Sequence, residues 1–215
     1  MVDERTTTYL NSLYPEIDAR LLEVEKNAIE TFVPIIRKET QNLIQMLIKE
    51  HKPKRILEVG TAVGFSGSLM LLAAGDNATL TTIENYEPRF ALAEGTFEKM
   101  ELSSRVTFLK GDAMEILPKL VEDGQKFDFV FMDAAKGQYI NFWPMIQNLT
   151  DSGAMIVTDN CLQDGEIIES RYAVVRRNRT IHKRMREYLY ELTHDERYFT
   201  SILPLGDGVA VSIKR

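Results

Sequence analysis

Two short runs of the chain end in residues that can manage a cation and a proton. The run FDFVFMDAAKGQY (residues 127–139) begins as an almost unbroken apolar strand and then presents Asp133 and, three residues later, Lys136. The run GAMIVTDN (153–160) ends in Asp159 and Asn160. Two carboxylates and an amide carbonyl are hard oxygen donors, suited to magnesium, manganese or calcium, whereas zinc would favour histidine or cysteine. None of the three histidines, His51, His182 and His194, falls at a strand end. An acid after a strand also serves as a helix cap, and that is the plainer use of either acid alone; the four residues together point to a site.

A second group surrounds glycines. LEVGTAVGFSG (57–67) spaces Gly60, Gly64 and Gly67 as G-x-x-x-G-x-x-G around a strand-to-helix turn, where missing side chains let a ligand approach the backbone. A dinucleotide fingerprint needs glycine two residues after the first, and Ala62 stands there. Glu58, just before the loop, would repel a pyrophosphate, yet it suits the ammonium of an amino acid moiety such as that of S-adenosylmethionine. ATLTTIE (78–84) ends in Glu84, an acid able to bind both hydroxyls of a ribose, and KGDA (110–113) offers Asp112 and the following amide to an adenine edge. The three strand ends describe a nucleoside site.

These residues need a scaffold that brings strand ends together. From Arg55 onward short apolar runs alternate with amphipathic segments, the pattern of parallel strands joined by crossover helices. In such sheets ligands collect beyond the carboxyl ends of the strands. Ahead of the first strand, apolar residues at three- and four-residue steps predict helices over about Glu16 to Thr31 and Ile35 to His51, with Pro34 between them. At the other end, two strand-like runs flank Gly206-Asp207-Gly208, a hairpin signal, so an antiparallel pair closes the sheet. The fold expected is α/β, Rossmann-like, with a mostly parallel seven-stranded sheet and helices on both faces. One domain over 1–215 is expected, with a helical extension at 1–52 and the core at 53–215.

Composition sets outer bounds. The chain has 215 residues, 44% of them hydrophobic and 27% charged, enough for one well-filled core. Cys161 is the only cysteine, which excludes an internal disulfide and a cysteine metal cluster; it reads as a packing residue. The first ten residues lack an apolar leader core and no window approaches 18 apolar residues, so a cytoplasmic protein without a membrane partner is expected.

Taken together, LEVGTAVGFS, Glu84, GDA, MDAAK and TDN resemble the cation-dependent O-methyltransferases of the catechol and caffeoyl-CoA type, over about Phe32 to Arg215. Within that family, DAAKGQY, the basic segment after TDN, and PLGDGVAVS are similar to a bacterial branch that methylates 5-hydroxyuridine in tRNA. The resemblance implies that Asp133, Asp159 and Asn160 hold a divalent cation, magnesium or else manganese or calcium. It also implies that Asp133 and Lys136 serve catalysis, with Lys136 as general base. S-adenosylmethionine would be bound by Val33, Glu58, Gly60, Ser66, Glu84, Asp112, Ala113 and Asp133. Tyr139, Phe142 and Trp143 read as packing residues.

The segment RYAVVRRNRTIHKRMR (171–186) holds seven Lys or Arg and no acid, in a chain whose net charge is −6. Such a local reversal can attract phosphates, so Arg176, Arg177, Arg179, Lys183, Arg184 and Arg186 are expected to bind tRNA; a solvated helix face is the alternative. A homodimer is also expected. The rival readings are a small-molecule catechol-type enzyme and a non-catalytic nucleoside-binding domain.

Overall fold

The computed structural model describes residues 4–170 and 172–215, apart from the side chain of Asp164. The leader reading at residues 1–3 and Arg171 of the basic segment lie outside the described residues. The chain divides into two compact units, Val2–Ala113 and Met114–Arg215.

The first unit opens with helices α1 (Glu4–Leu13), α2 (Ala19–Glu30) and α3 (Lys38–His51). It continues with β1 (Arg55–Val59), α4 (Phe65–Ala74), β2 (Thr79–Glu84), α5 (Phe90–Lys99) and β3 (Val106–Lys110). Helix α2 starts where Asp18 caps it, accepting the backbone N–H of Arg20 at 2.9 Å, and it buries Leu21, Val24 and Ala28 along one stripe. Helix α3 stops where Lys52 turns left-handed. Both pack against α4. The sequence reading had no helix at α1, and the reason is physical: none of its residues is buried, so its apolar stripe is too thin to register. Strands β1, β2 and β3 pair in parallel with Val59 beside Ile83 and Glu84 beside Lys110, so their carboxyl ends are level.

The second unit holds β4 (Phe127–Met132), α7 (Tyr139–Asn148), β5 (Thr150–Thr158), α8 (Arg179–His194), β6 (Tyr198–Leu203) and β7 (Val209–Lys214); α6 (Ala113–Glu122) opens at the boundary. Strand β4 is buried at nearly every position, as a strand covered on both faces must be. Met132 of β4 pairs with Thr158 of β5, again levelling two carboxyl ends. The strands form a seven-stranded mixed sheet of order β3-β2-β1-β4-β5-β7-β6, as the sequence led us to expect. Within the closing hairpin β7, antiparallel to both neighbours, lies between β5 and β6, so β6 takes the edge. Because Ala210 pairs with Thr158, the hairpin turn falls just past the end of β5.

Among the described residues no helix is long and apolar enough to cross a membrane. Cys161 is fully buried, and burial pushes its thiol up to about 12, as suits a packing residue. Tyr139, Phe142 and Trp143 are buried too, with Tyr139 and Trp143 edge-on to Tyr188.

Candidate functional site

In the first unit, the turn after β1 is held from beneath by Glu58. This side chain has no exposed surface, and its two oxygens accept from the Ser66 hydroxyl at 2.5 Å and the Thr82 hydroxyl at 2.6 Å. Thr82 has spent its proton there, so the 2.5 Å contact with Thr61 is donated by Thr61. Gly67 packs so tightly that a Cβ would sit 2.6 Å from Leu80 and 2.9 Å from the Glu58 carboxylate. Glu58 and Ser66 therefore shape the turn as one buried polar network.

Glu84, at the end of β2, fixes the same turn from its other side. It accepts the backbone N–H groups of Ala62 at 2.8 Å, Asn85 at 3.0 Å and Tyr86 at 2.9 Å. Ala62 has φ +47°, a left-handed conformation that a non-glycine adopts at a cost, and the bond from its N–H to Glu84 offsets it. A carboxylate has about four acceptor directions, so three backbone donors leave room for one ligand hydroxyl. Gly60 and Gly64 are also left-handed, and the Gly60 N–H donates to Ile83. The Gly111 N–H donates to the Glu84 carbonyl, which places exposed Asp112 and buried Ala113 directly after β3. Gly60, Glu84, Asp112 and Ala113 thus lie at level strand ends, while Ser66 sits in the first turn of α4 with its hydroxyl committed to Glu58. Val33 lies in the α2–α3 linker, half-buried, with its N–H taken by Ala28.

In the second unit, the ends of β4 and β5 bring the two acids together. The Asn160 amide donates to Asp133 at 2.7 Å, and the Asn160 backbone N–H donates to Asp159 at 2.8 Å. Burial raises the Asp133 carboxyl to about 6, against the pull of Asn160 and Lys136. Burial, and next the charge of Asp133, raise Asp159 to about 7. Two desolvated acids that resist being charged together form a donor set that a divalent cation suits. Among the described residues no cluster of three or more His, Cys, Asp or Glu is placed to hold a metal; here the third donor is an amide. Tyr139 braces the loop: its hydroxyl lies 3.2 Å from the Ala134 carbonyl and 3.3 Å from that of Asp159.

Lys136 begins a short 3-10 turn, Lys136–Gln138, and its ammonium lies 2.9 Å from the Asp207 carboxylate. Sequence reasoning took Asp207 only as a turn residue; the acid between two glycines was the available signal.

The basic segment splits in two. Arg179 donates to the carbonyls of Val174 and Tyr172 and Arg186 to that of Ile167, which fastens the loop after β5 to α8, while Arg184 donates to that of Gly137 in the loop after β4. Arg176 and Arg177 are exposed on the turn Arg176–Asn178, and Lys183 is exposed beside Glu187.

Against known proteins, residues 13–215 match the O-methyltransferase family. The chain is 33% identical over 170 residues to a catechol O-methyltransferase of Niastella koreensis, covering 77% of this chain and 76% of that one. It is 29% identical over 174 residues to caffeoyl-CoA O-methyltransferase 1 of Eucalyptus globulus, covering 78% and 70%. Among solved structures, a candidate caffeoyl-CoA O-methyltransferase of Staphylococcus aureus superposes with a TM-score of 0.90 at 28% identity, covering 99% and 100%. An O-methyltransferase of Bacillus cereus, solved with S-adenosylhomocysteine, reaches 0.86 at 21% identity over 98% and 97%.

Proposed function

The chain belongs to the O-methyltransferase family, and from that premise we propose that it moves a methyl group from S-adenosylmethionine to a hydroxyl with a vicinal oxygen, namely 5-hydroxyuridine at the tRNA wobble position. The observation that carries the reading is the pair of acids, half-buried Asp133 and buried Asp159, joined through Asn160 at the level ends of β4 and β5.

Asp133, Asp159 and Asn160 would hold a divalent cation, with magnesium the ion proposed. Such a cation would lower the pKa of an acceptor hydroxyl and offset the charge of the two acids. Lys136 accepts the hydroxyl proton at its Nζ. The glycine turn would hold S-adenosylmethionine, which supplies an electrophilic methyl on a sulfonium. Glu84, with one acceptor direction left, takes a ribose hydroxyl, while Asp112 and Ala113 meet the adenine edge. Most of the rate then comes from placement and charge, since no side chain need form a covalent bond. A homodimer belongs to the same proposal.

The acceptor follows from chemistry. The O4 carbonyl and 5-hydroxyl of hydroxyuridine are vicinal oxygens, as in a catechol, and exposed Arg176, Arg177 and Lys183 supply charge for phosphates. Nucleoside mass spectrometry of tRNA from a strain lacking the protein tests it. Loss of methoxyuridine with hydroxyuridine accumulating is expected, and an unchanged profile would overturn the tRNA acceptor. A small catechol is the second reading, favoured by the Niastella koreensis relative and by the engagement of Arg179, Arg184 and Arg186 with their own chain.

A further inference from the structure

The hairpin turn does more than join two strands. Its register with β5 carries residues 205–208 past Thr158, where the Leu162 N–H donates to the Asp207 carbonyl and the Cys161 N–H to the Gly208 carbonyl, each at 2.9 Å. Gly206 and Gly208 are both left-handed, at φ +57° and +88°. A Cβ on Gly208 would lie 2.3 Å from the Leu162 side chain and 2.7 Å from its backbone nitrogen. The turn is therefore latched, backbone to backbone, onto the segment that follows Asn160.

The side chain of Asp207 points the other way in sequence, to Lys136 in the loop after β4, at 2.9 Å. The two partners are unequal: the Lys136 side chain is 35% exposed and that of Asp207 only 6%. A lysine on a flexible four-carbon stem, open to water, has no fixed position of its own. A buried carboxylate on a latched turn gives it one.

We infer that Asp207 is a positioning residue, which holds Lys136 Nζ where, as the neutral amine, it receives the acceptor proton, the ammonium–carboxylate pair being the state reached once that proton has moved; this rests on the proposed role of Lys136 as base. The turn thereby couples the loop carrying Asp133 and Lys136 to the loop carrying Asp159 and Asn160. A general base must lie within hydrogen-bond reach of its proton, and small misplacements are costly.

A double-mutant cycle on the full chain tests this, with catechol and 5-hydroxyuridine tRNA as parallel acceptors. Asp207→Asn should lower kcat about 10- to 100-fold and leave S-adenosylmethionine affinity unchanged. In a Lys136→Ala background the same change should cost less than about twofold, because its route to the chemistry is gone. Acetylation of Lys136 by an N-hydroxysuccinimide ester, followed by mass spectrometry against Lys183, gives a readout without turnover; it should rise severalfold in Asp207→Asn. Equal losses in both backgrounds would mean a merely structural turn and overturn the inference, as would unchanged labelling of Lys136. If Lys136→Ala alone is as active as the parent, the base assignment itself fails, and the inference with it.

Discussion

Asn160 reaches from the end of β5 to donate its amide to Asp133 at the end of β4, 2.7 Å away, while its own backbone N–H donates to Asp159. One residue so joins both acids, and it does so from φ +61°, a left-handed conformation that asparagine tolerates better than most side chains. The two carboxyls are close because parallel pairing sets Met132 level with Thr158, not because they are near in sequence.

Asp133→Asn and Asp159→Asn should each abolish magnesium binding in calorimetry and lower methyl transfer by about 100-fold or more. Cofactor affinity should persist in Asp159→Asn, because the glycine turn, Glu84 and Asp133 are untouched. Retained magnesium binding in both variants would remove these acids from the cation site.

Stability without metal should depend on pH in an unusual direction. Asp133 and Asp159 are raised to about 6 and about 7 in the folded chain, from an ordinary 3.8, so the folded state holds their protons more tightly than the unfolded one. Their contribution is complete below about pH 4 and is lost as pH rises through 6 to 7. With EDTA present, Tm should fall by several degrees between pH 5.5 and pH 8, and magnesium should restore it at pH 8. In Asp133→Asn the fall should shrink; an equal fall there would point to other groups.

How much of this was legible beforehand differs from residue to residue. The strand ends at Glu58, Glu84, Asp133 and Asp159 were readable because each closes a short apolar run, and the levelling of those ends follows from parallel pairing. Asp207 was not readable as a site residue, since its partner Lys136 is far away in sequence and only the placement of β7 beside β5 brings them together. Nor did charge alone reveal that Arg179, Arg184 and Arg186 are occupied by backbone carbonyls. Helix α1 escaped because a helix that buries nothing leaves a faint periodic signal.

Glu84→Gln keeps shape but loses charge, and should weaken S-adenosylmethionine binding by about 1–3 kcal/mol. Glu84→Ala should do more, because the N–H groups of Ala62, Asn85 and Tyr86 lose their acceptor and the turn loosens. Calorimetry giving the parent affinity for both variants would place the ribose elsewhere.

Gly67→Ala should destabilise the chain by about 1–3 kcal/mol through overpacking, since the new methyl meets Leu80 and Glu58 inside van der Waals distance. Urea melts check this, and an unchanged midpoint would mean that the turn relaxes freely.

Reversing the exposed charges in Arg176→Glu, Arg177→Glu and Lys183→Glu together should cut methylation of tRNA at least tenfold and spare a catechol, by removing phosphate contacts, about one counterion each. Reversing Arg179 or Arg184 would confuse the outcome by unfastening the loops after β5 and β4 from α8. A tRNA rate equal to the parent's in the triple variant would favour the small-molecule reading.

The most direct measurement follows methyl transfer from S-adenosylmethionine to 5-hydroxyuridine tRNA and to catechol, side by side, first in magnesium, then in excess EDTA, then with magnesium restored. The account predicts methylation of at least one acceptor in magnesium, a fall of about 100-fold or more in EDTA, and full recovery when the cation returns. Undiminished transfer in EDTA would contradict the assignment of Asp133, Asp159 and Asn160 to a cation.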